Sequence, residues 1–453
     1  MTAAETIRHE PPESSRVPAV ARLARLPITA VHRRIMMLLS FVFFFELGSI
    51  NTFAFAAPAI LKNWHLSIST IGFITSSTFF GMFAGSAIGG WISDRLGRKR
   101  ALILTATWFA GFSLLNAFVI GPIGLFVARF LTGVGLASMT VVGITYISEI
   151  FPTPKRGAYQ SWIMMIGLFG IPATAFVARY SIPAAPWGWR LIFIWGAGGL
   201  LFPLFSHWLY ESPIWYENRG HFRDADEILD RMEAVARLES GPLPPVSPQP
   251  WVQPPRSRVF DLLAPKYLPR TTVLILIWVG QTLGLFGFTS WVPTLLVARG
   301  FSLVHSLAWS STISLAAVPG ALLAAVIADH WDRRWWLTVC ALVIACCGLL
   351  YGASGSALTI IVFGILVEML VHTFAPLLYA YTPECYPTAI RNSGAGLTYG
   401  CGRLANGFGP LVVAALFKHY GYRSVFTYMA GCWIFTAVAI GMFGPRTSRQ
   451  LLT

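Results

Sequence analysis

Gly90-Trp91-Ile92-Ser93-Asp94-Arg95-Leu96-Gly97-Arg98-Lys99-Arg100 is a polar, basic run set between two apolar stretches, and the chain contains it twice. At an offset of 235 it returns in degenerate form as Ala325-Val326-Ile327-Ala328-Asp329-His330-Trp331-Asp332-Arg333-Arg334. The same offset carries Pro58 to Pro293 and Gly85 to Gly320 without a gap. It also carries Tyr146, Glu149, Pro152, Thr153 and Arg156 to Tyr381, Glu384, Pro387, Thr388 and Arg391. Chance does not hold one offset through so many charged and helix-breaking positions, so the chain is a duplicated unit. Because nearly everything between these marks is apolar, each unit reads as a membrane bundle. Two such bundles facing each other across a cavity form a secondary transporter.

Composition agrees with this reading. Hydrophobic residues make up 55% of the 453 and charged residues 11%, with a mean hydropathy of +0.63, whereas soluble domains carry about 25% charge. Twelve apolar stretches have spanning length: 35–61, 70–93, 101–120, 122–147, 157–180, 189–210, 271–298, 305–328, 336–353, 357–381, 393–417 and 422–444. Each is near or above the ~20 residues that a helix needs to cross the hydrocarbon. The predicted organisation is a cytoplasmic arm (1–34), a six-helix bundle (35–210), a cytoplasmic loop (211–270), a second six-helix bundle (271–444) and a cytoplasmic tail (445–453). In the loop, Phe222 to Leu238 has helical periodicity and Gly241 to Pro255 is a Pro-rich linker, too small together for a catalytic domain.

The net charge of +14 is distributed as a membrane protein would distribute it. With both termini cytoplasmic, 25 of the 33 Lys and Arg fall in cytoplasmic segments, six in external loops, and two, Arg129 and Arg403, inside spans. That asymmetry sets the orientation in a cell inner (plasma) membrane and argues against a nucleic-acid partner. The basic arm at Arg22, Arg25, Arg33 and Arg34 suits lipid headgroups. No cleavable signal is read in residues 1–34. The six Cys, in or beside spans without CxxC spacing, read as packers, not as a disulfide frame or a metal site. With no nucleophile elbow, metal cluster or P-loop, neither an enzyme nor a cofactor is expected.

The ordered loop pattern, echoed in both halves, reads as a conformational lock. Its residues are Gly90, Asp94, Arg95, Gly97 and Arg98 in the first copy and Asp329 and Arg333 in the second. Glu149, Arg156, Glu384 and Arg391 complete it. Gly90 is expected to let a neighbouring helix approach closely. Asp94 suits the positive N-terminus of another helix.

These motifs resemble the major facilitator superfamily. Three further stretches narrow the branch: Arg129-x-x-x-Gly133-x-Gly135 leading to Tyr146-Ile147-Ser148-Glu149, Glu211-Ser212-Pro213, and Pro383-Glu384-Cys385-Tyr386-Pro387 followed by Gly402-Arg403. Together they are similar to the sugar-porter-like metabolite:proton symporters, a branch holding aromatic-acid, niacin and organic-ion carriers. The resemblance implies alternating access, an outward-open state stabilised by the first loop copy, and Asp94 near the start of span 11 at Ser393-Gly394. It also implies that a span 1 acid and the span 4 Arg carry the proton. Departures are Gln281-Thr282-Leu283-Gly284, where sugar porters have a Gln-Gln run, and Glu46-Leu47-Gly48-Ser49, which keeps one acid of the two usual in aromatic-acid carriers.

A lone charge at the bilayer centre costs about 2.5–3.5 kcal/mol, so each should pair or line water. Glu46, Arg129, Glu368, His372 and Arg403 interrupt the spans. At 1.5 Å per residue, Glu46 lies roughly 16 Å into span 1 and Arg129 roughly 10 Å into span 4. The two are expected to meet, with Glu46 as the proton carrier and a permanent structural pair as the bland reading. Glu368 and His372, at i and i+4, share one helix face and are further proton-coupling candidates. Arg403 is the candidate for a carboxylate, which its planar fork fits with two hydrogen bonds; pairing with Glu368 alone is the structural alternative. Trp278 and Tyr399, with Phe286, Phe288 and Trp291, are candidates to stack on a flat substrate, although most such rings face lipid or pack helices. Asn51, Gln160, Gln281 and Asn406 are candidates to line the cavity.

The expected function is therefore proton-coupled symport of a small organic anion, an aromatic or other monocarboxylate, by a monomer whose other partners are protons and membrane lipids. A sugar or polyol porter and a proton-coupled drug or metabolite exporter are the alternatives within this fold. A sensor built on the carrier fold is a third.

Overall fold

The two apolar blocks become two helical bundles in the computed structural model, which describes residues 17–246, 262, 264–327, 332–387 and 390–445. Asp329, Thr388, the arm before residue 17, most of the Pro-rich linker and the tail beyond residue 445 lie outside the described residues. The first bundle runs α2 Ala30–Asn63, α3 Ile68–Leu96, α4 Arg98–Asn116, α5 Pro122–Ile150, α6 Arg156–Leu168 continuing as α7 Gly170–Ala184, and α8 Trp189–Gly196 extended by a 3-10 segment to Trp208. The second runs α11 Leu268–Thr289, α12 Val292–Ala298, α13 Leu303–Ser314, α14 Ala317–Ile327, α15 Arg333–Ala353, α16 Ala357–Glu384, α17 Arg391–Tyr420 and α18 Tyr422–Val438 with a π turn to Phe443. α1 Ala19–Ala24 precedes the first bundle, and α9 Pro213–Asn218 and α10 Phe222–Ser240 lie between the two.

Eleven spans among the described residues are long and apolar enough to cross a membrane. The twelfth is α4, whose 19 residues open on Arg98-Lys99-Arg100 and so fall short in hydropathy. The result is the twelve-helix architecture of two six-helix bundles. Spans read from sequence as continuous are in three cases two helices, because Phe169, Ser290-Trp291 and Leu315-Ala316 interrupt them.

Glycines decide how close the helices come. On α3, Gly81, Gly85 and Gly89 form one stripe against α5, where an added Cβ would fall on the backbone of Phe130, Val134 and Ser138. Gly90, expected to provide that approach, has open space around its Cβ position. One residue along a helix turns the side chain by about 100°, so Gly90 faces away from α5.

Between the bundles, contacts gather at mid-height and at the end remote from Asp94. Gly72 sits against Pro410 and Ala414, Phe80 packs edge-on to Phe408 at 5.1 Å, and Phe79 meets Phe286 at 4.9 Å. At the Asp94 end, the Asp94 side chain is 76% exposed.

Candidate functional site

Asp94 lies at the last turn of α3, and its carboxylate accepts from Arg98 at 2.8 Å. It does not act on α17, where Ser393 and Gly394 stand. Its carbonyl accepts from Trp215 Nε1 at 3.0 Å and Arg219 at 2.6 Å. Arg98 grips Glu149 with two bonds of 2.9 Å. Gly97, at φ +91°, leaves room for Glu211, whose Oε1 accepts from the N–H groups of Arg98 (2.7 Å) and Lys99 (3.0 Å). Glu211 thus caps the N-terminus of α4, where an anion is favoured. Its motif gave no hint of this partner, 113 residues away. Arg95 lies over the Trp91 ring at 4.4 Å, and Arg156 donates to the Thr153 hydroxyl at 3.3 Å. In the second half Arg333 pairs with Glu384, and Arg391 donates to the Tyr386 carbonyl at 3.5 Å.

Inside the spans the expected pairings change. Glu46 on α2 is 1% exposed and does not meet Arg129; its Oε1 accepts from Thr140 Oγ1 on α5 at 2.6 Å. Arg129 instead donates to Thr78 on α3 (3.0 Å) and Thr52 on α2 (3.3 Å), with Phe53 beneath it at 5.6 Å. Sequence supplied the depth of both residues but not their azimuth, and azimuth turned Arg129 into a tie among α2, α3 and α5. Arg403, on α17 of the other bundle, is near enough to Glu46 to interact with it electrostatically but makes no ion pair with it. Nor does Arg403 pair with Glu368, which lies 3.5 Å from His372 Nδ1.

Arg403 stands on α17 among three rings. It donates to the Tyr399 hydroxyl, and its guanidinium lies 4.6 Å over that ring. Tyr399, Trp278 and Tyr379 form a closed set, with centroids 5.1, 4.8 and 5.4 Å apart. Trp278 is fixed by its bond to Thr382 at 3.0 Å, and Gly402 brings α17 against its backbone. Tyr379 remains 50% exposed although two rings flank it. Sequence reasoning missed both Tyr379 and Thr140. The available signal was a phenol one helical turn before Thr382, and a hydroxyl one turn past Leu136 in the span that also holds Arg129.

Two atoms define the chemistry of this place. Glu46 Oε2 and Arg403 Nη1 are both buried without a hydrogen-bond partner, one from each bundle. A buried, unsatisfied charged group costs several kcal/mol unless something answers it. Gln281 is 4% exposed and accepts from Thr282 at 3.2 Å, and Asn406 is buried one turn past Arg403. Asn51 bonds the Leu47 carbonyl at 3.4 Å, and Gln160 is half-buried on α6. Phe288 and Trp291 pack inside the second bundle and Phe286 against Phe79 of the first, so none joins the ring set: Phe288, for example, meets Tyr351 at 5.1 Å.

The model of the Major Facilitator Superfamily matches residues 39–351 and 304–452. YyaJ of Bacillus subtilis, which carries the name of a metabolite transport protein, is 43% identical over 435 residues, 95% of this chain and 96% of its own. The niacin transporter NiaP of Acinetobacter baylyi is 28% identical over 437 residues, 96% of this chain and 98% of its own. Among solved structures, the xylose transporter XylE of Escherichia coli, partially occluded and inward open, superposes with a TM-score of 0.75 at 17% identity, covering 93% of this chain and 99% of that one.

Proposed function

This chain belongs to the major facilitator superfamily as a multi-pass transporter of metabolites and not an enzyme, and from that premise we propose proton-coupled symport of an aromatic monocarboxylate. The observation that carries the reading is that Glu46 Oε2 and Arg403 Nη1, one from each bundle, are both buried without a hydrogen-bond partner. While Glu46 is ionised, its charge competes with any other carboxylate for the Arg403 fork. Protonation of Glu46 ends that competition, so a substrate carboxylate takes two hydrogen bonds from the guanidinium. Trp278, Tyr379 and Tyr399 then offer faces to an aromatic body. Niacin, in the name of the Acinetobacter relative, is an aromatic monocarboxylate and favours the same chemistry.

On the orientation that positive charge gives, the Asp94 end is cytoplasmic and both termini lie on that side of the plasma membrane. This arrangement is then the inward-facing one, with Asp94 released from α17. Binding outside would need proton and anion together, and release inside would follow return of the Glu46 charge to Arg403. A sugar or polyol is disfavoured because Gln281 is buried and already takes up the Thr282 hydroxyl.

Uptake of radiolabelled nicotinate or benzoate into proteoliposomes tests the reading. Glu46→Gln is expected to reduce pH-gradient-driven accumulation at least ~10-fold while counterflow continues, and Arg403→Lys to raise the apparent KM about tenfold. Nicotinamide, which lacks the carboxylate, should compete at least ~10-fold less well than nicotinate. Equal competition by the two would dismiss the anion reading, and undiminished accumulation by Glu46→Gln would dismiss the coupling role.

A further inference from the structure

Apart from the Glu46–Arg403 cluster, a cavity of about 30 Å³ lies between the bundles in the half of the molecule remote from Asp94. Its polar lining is all oxygen-bearing: Glu368 on α16, Ser310 and Ser314 on α13, Thr289 on α11, and Asn51 on α2 across the interface. Ser310 is 5% exposed, and its hydroxyl has no hydrogen-bond partner. Glu368 is 4% exposed, and the titratable group beside it is His372, whose Nδ1 lies 3.0 Å from the Glu368 carbonyl and 3.5 Å from its carboxylate.

The cavity also sits where two spans are interrupted. Thr289 is the last residue of α11 and Ser314 the last of α13. The breaks follow from Pro293 and Pro319, which have no N–H to offer the carbonyls of Thr289 and Leu315 four residues earlier. Helix C-termini carry partial negative charge and freed carbonyls, and discontinuous helices of this kind hold coupling cations in other transporters. One carboxylate, two helix C-termini and several hydroxyl and amide oxygens make a hard-cation donor set. The volume suits one ion with at most a water beside it, and is too small for an organic substrate.

We infer that this cavity is a binding site for a small monovalent cation, sodium, held by Glu368 and the broken ends of α11 and α13. It goes beyond the anion–proton mechanism, because none of its ligands belongs to the Glu46–Arg403 cluster. Asn51 reaches it from the first bundle and the remaining polar groups from the second. An ion here therefore fastens the bundles together at this end, and opening of this end exposes it.

Binding of radioactive sodium to the purified full-length protein, by scintillation proximity at constant ionic strength with choline as the replacement, tests this directly. Saturable binding in the millimolar range is expected. Glu368→Gln should weaken it at least ~10-fold, and Ser310→Ala with Thr289→Val should weaken it ~3- to 10-fold, while Glu46→Gln retains it. The double variant keeps the test open should Glu368→Gln fail to fold. No saturable binding in the wild type, or unchanged affinity in Glu368→Gln or in the double variant, overturns the inference. A thermal shift that follows pH, ignores sodium and disappears in Glu368→Gln makes the cavity a proton site and likewise overturns it. Because the readout is sodium alone, failure of the carboxylate reading would leave this result unaffected.

Discussion

In the first bundle, Tyr146 donates its hydroxyl to the Tyr210 carbonyl (2.8 Å), Ser138 donates to Gly85 (2.7 Å) and Arg98 holds Glu149. In the second, at the same offset, Tyr381 donates to Pro445 (2.7 Å), Thr373 donates to Gly320 (2.9 Å) and Arg333 holds Glu384. Ser67 and Ser302, again equivalent, each cap the N-terminus of a helix through their hydroxyls. The charges in the middle of the spans do not repeat. Glu46 corresponds to Gln281, Arg129 to Gly364, Glu368 to Gly133 and Arg403 to Leu168. What duplication preserved is the packing scaffold; the buried charges were placed on it separately in each half. That contrast separates residues that hold a bundle together from residues that act between bundles.

The backbone also differs at one equivalent position. α2 runs on through Pro58, whereas the seventh span breaks before Pro293. Pro58 has Ala56, Ala57 and Ala59 around it, while Pro293 follows Thr289-Ser290-Trp291-Val292. Alanine keeps a helix going past a missing bond; β-branched residues and serine do not.

The repeated contacts are the place to break this comparison most severely. Gly85→Leu and Gly320→Leu should each destabilise the protein by on the order of 3 kcal/mol or more, since a Cβ would fall on the carbonyls of Val134 and Met369. Loss of the monodisperse peak in fluorescence-detected size exclusion is the readout, and a well-folded variant at only one of the two sites would mean the halves are not equivalent scaffolds. Arg129→Lys should cost about 1–3 kcal/mol in thermal unfolding through its bonds to Thr52 and Thr78, yet leave the pH profile of uptake in place. A displaced profile would return Arg129 to the proton path.

Arg98→Ala should cost about 1–2 kcal/mol and Arg333→Ala less than about 1 kcal/mol, because Arg98 is the more buried of the two and makes a bidentate pair. Equal melting temperatures for the two variants would count against that ranking.

The smallest effect concerns α1, where Arg22 bonds Asp230 (2.5 Å) and Glu233 (2.8 Å) on α10. Burial pushes the Glu233 carboxyl up, but the hydrogen bonds from Arg22 and Arg25 outweigh it and hold the group below its ordinary value. A depressed folded value means that docking is stabilised above the ordinary carboxylate range and weakened as pH falls through the lowered one. Spin labels at Val20 and Leu238 should therefore keep their distance from pH 8 to pH 5 and separate only in stronger acid. Separation already at pH 6 would point to another group.

Much of the fold was legible because its signals are local. Span length, loop charge and the repeat are written along the chain, and all twelve spans can be read from them. Legibility ended at the helix breaks, since Pro293 lies in the run 271–298 much as Pro58 lies in 35–61, and only the structure shows that the first breaks its span while the second does not. It ended again at Gly90, one residue out of register with the stripe that packs. For the candidate site, Glu46, Arg403, Trp278 and Tyr399 stood out as polar or aromatic groups in apolar spans. Tyr379 and Thr140 did not, since phenols and hydroxyls are common there.

Sequence by itself determined that this chain crosses a membrane as two related six-helix bundles, because burying backbone in hydrocarbon permits few other solutions. It also determined which ionisable groups are too costly to be idle. Only the tertiary structure decided that Glu46 takes its hydrogen bond from Thr140 and not from Arg129, and that Arg129 ties helices within one half. A residue's depth follows from its position along the helix, but its partner depends on the helix's rotation and on which helix comes alongside. Both are set by contacts between residues far apart in the chain.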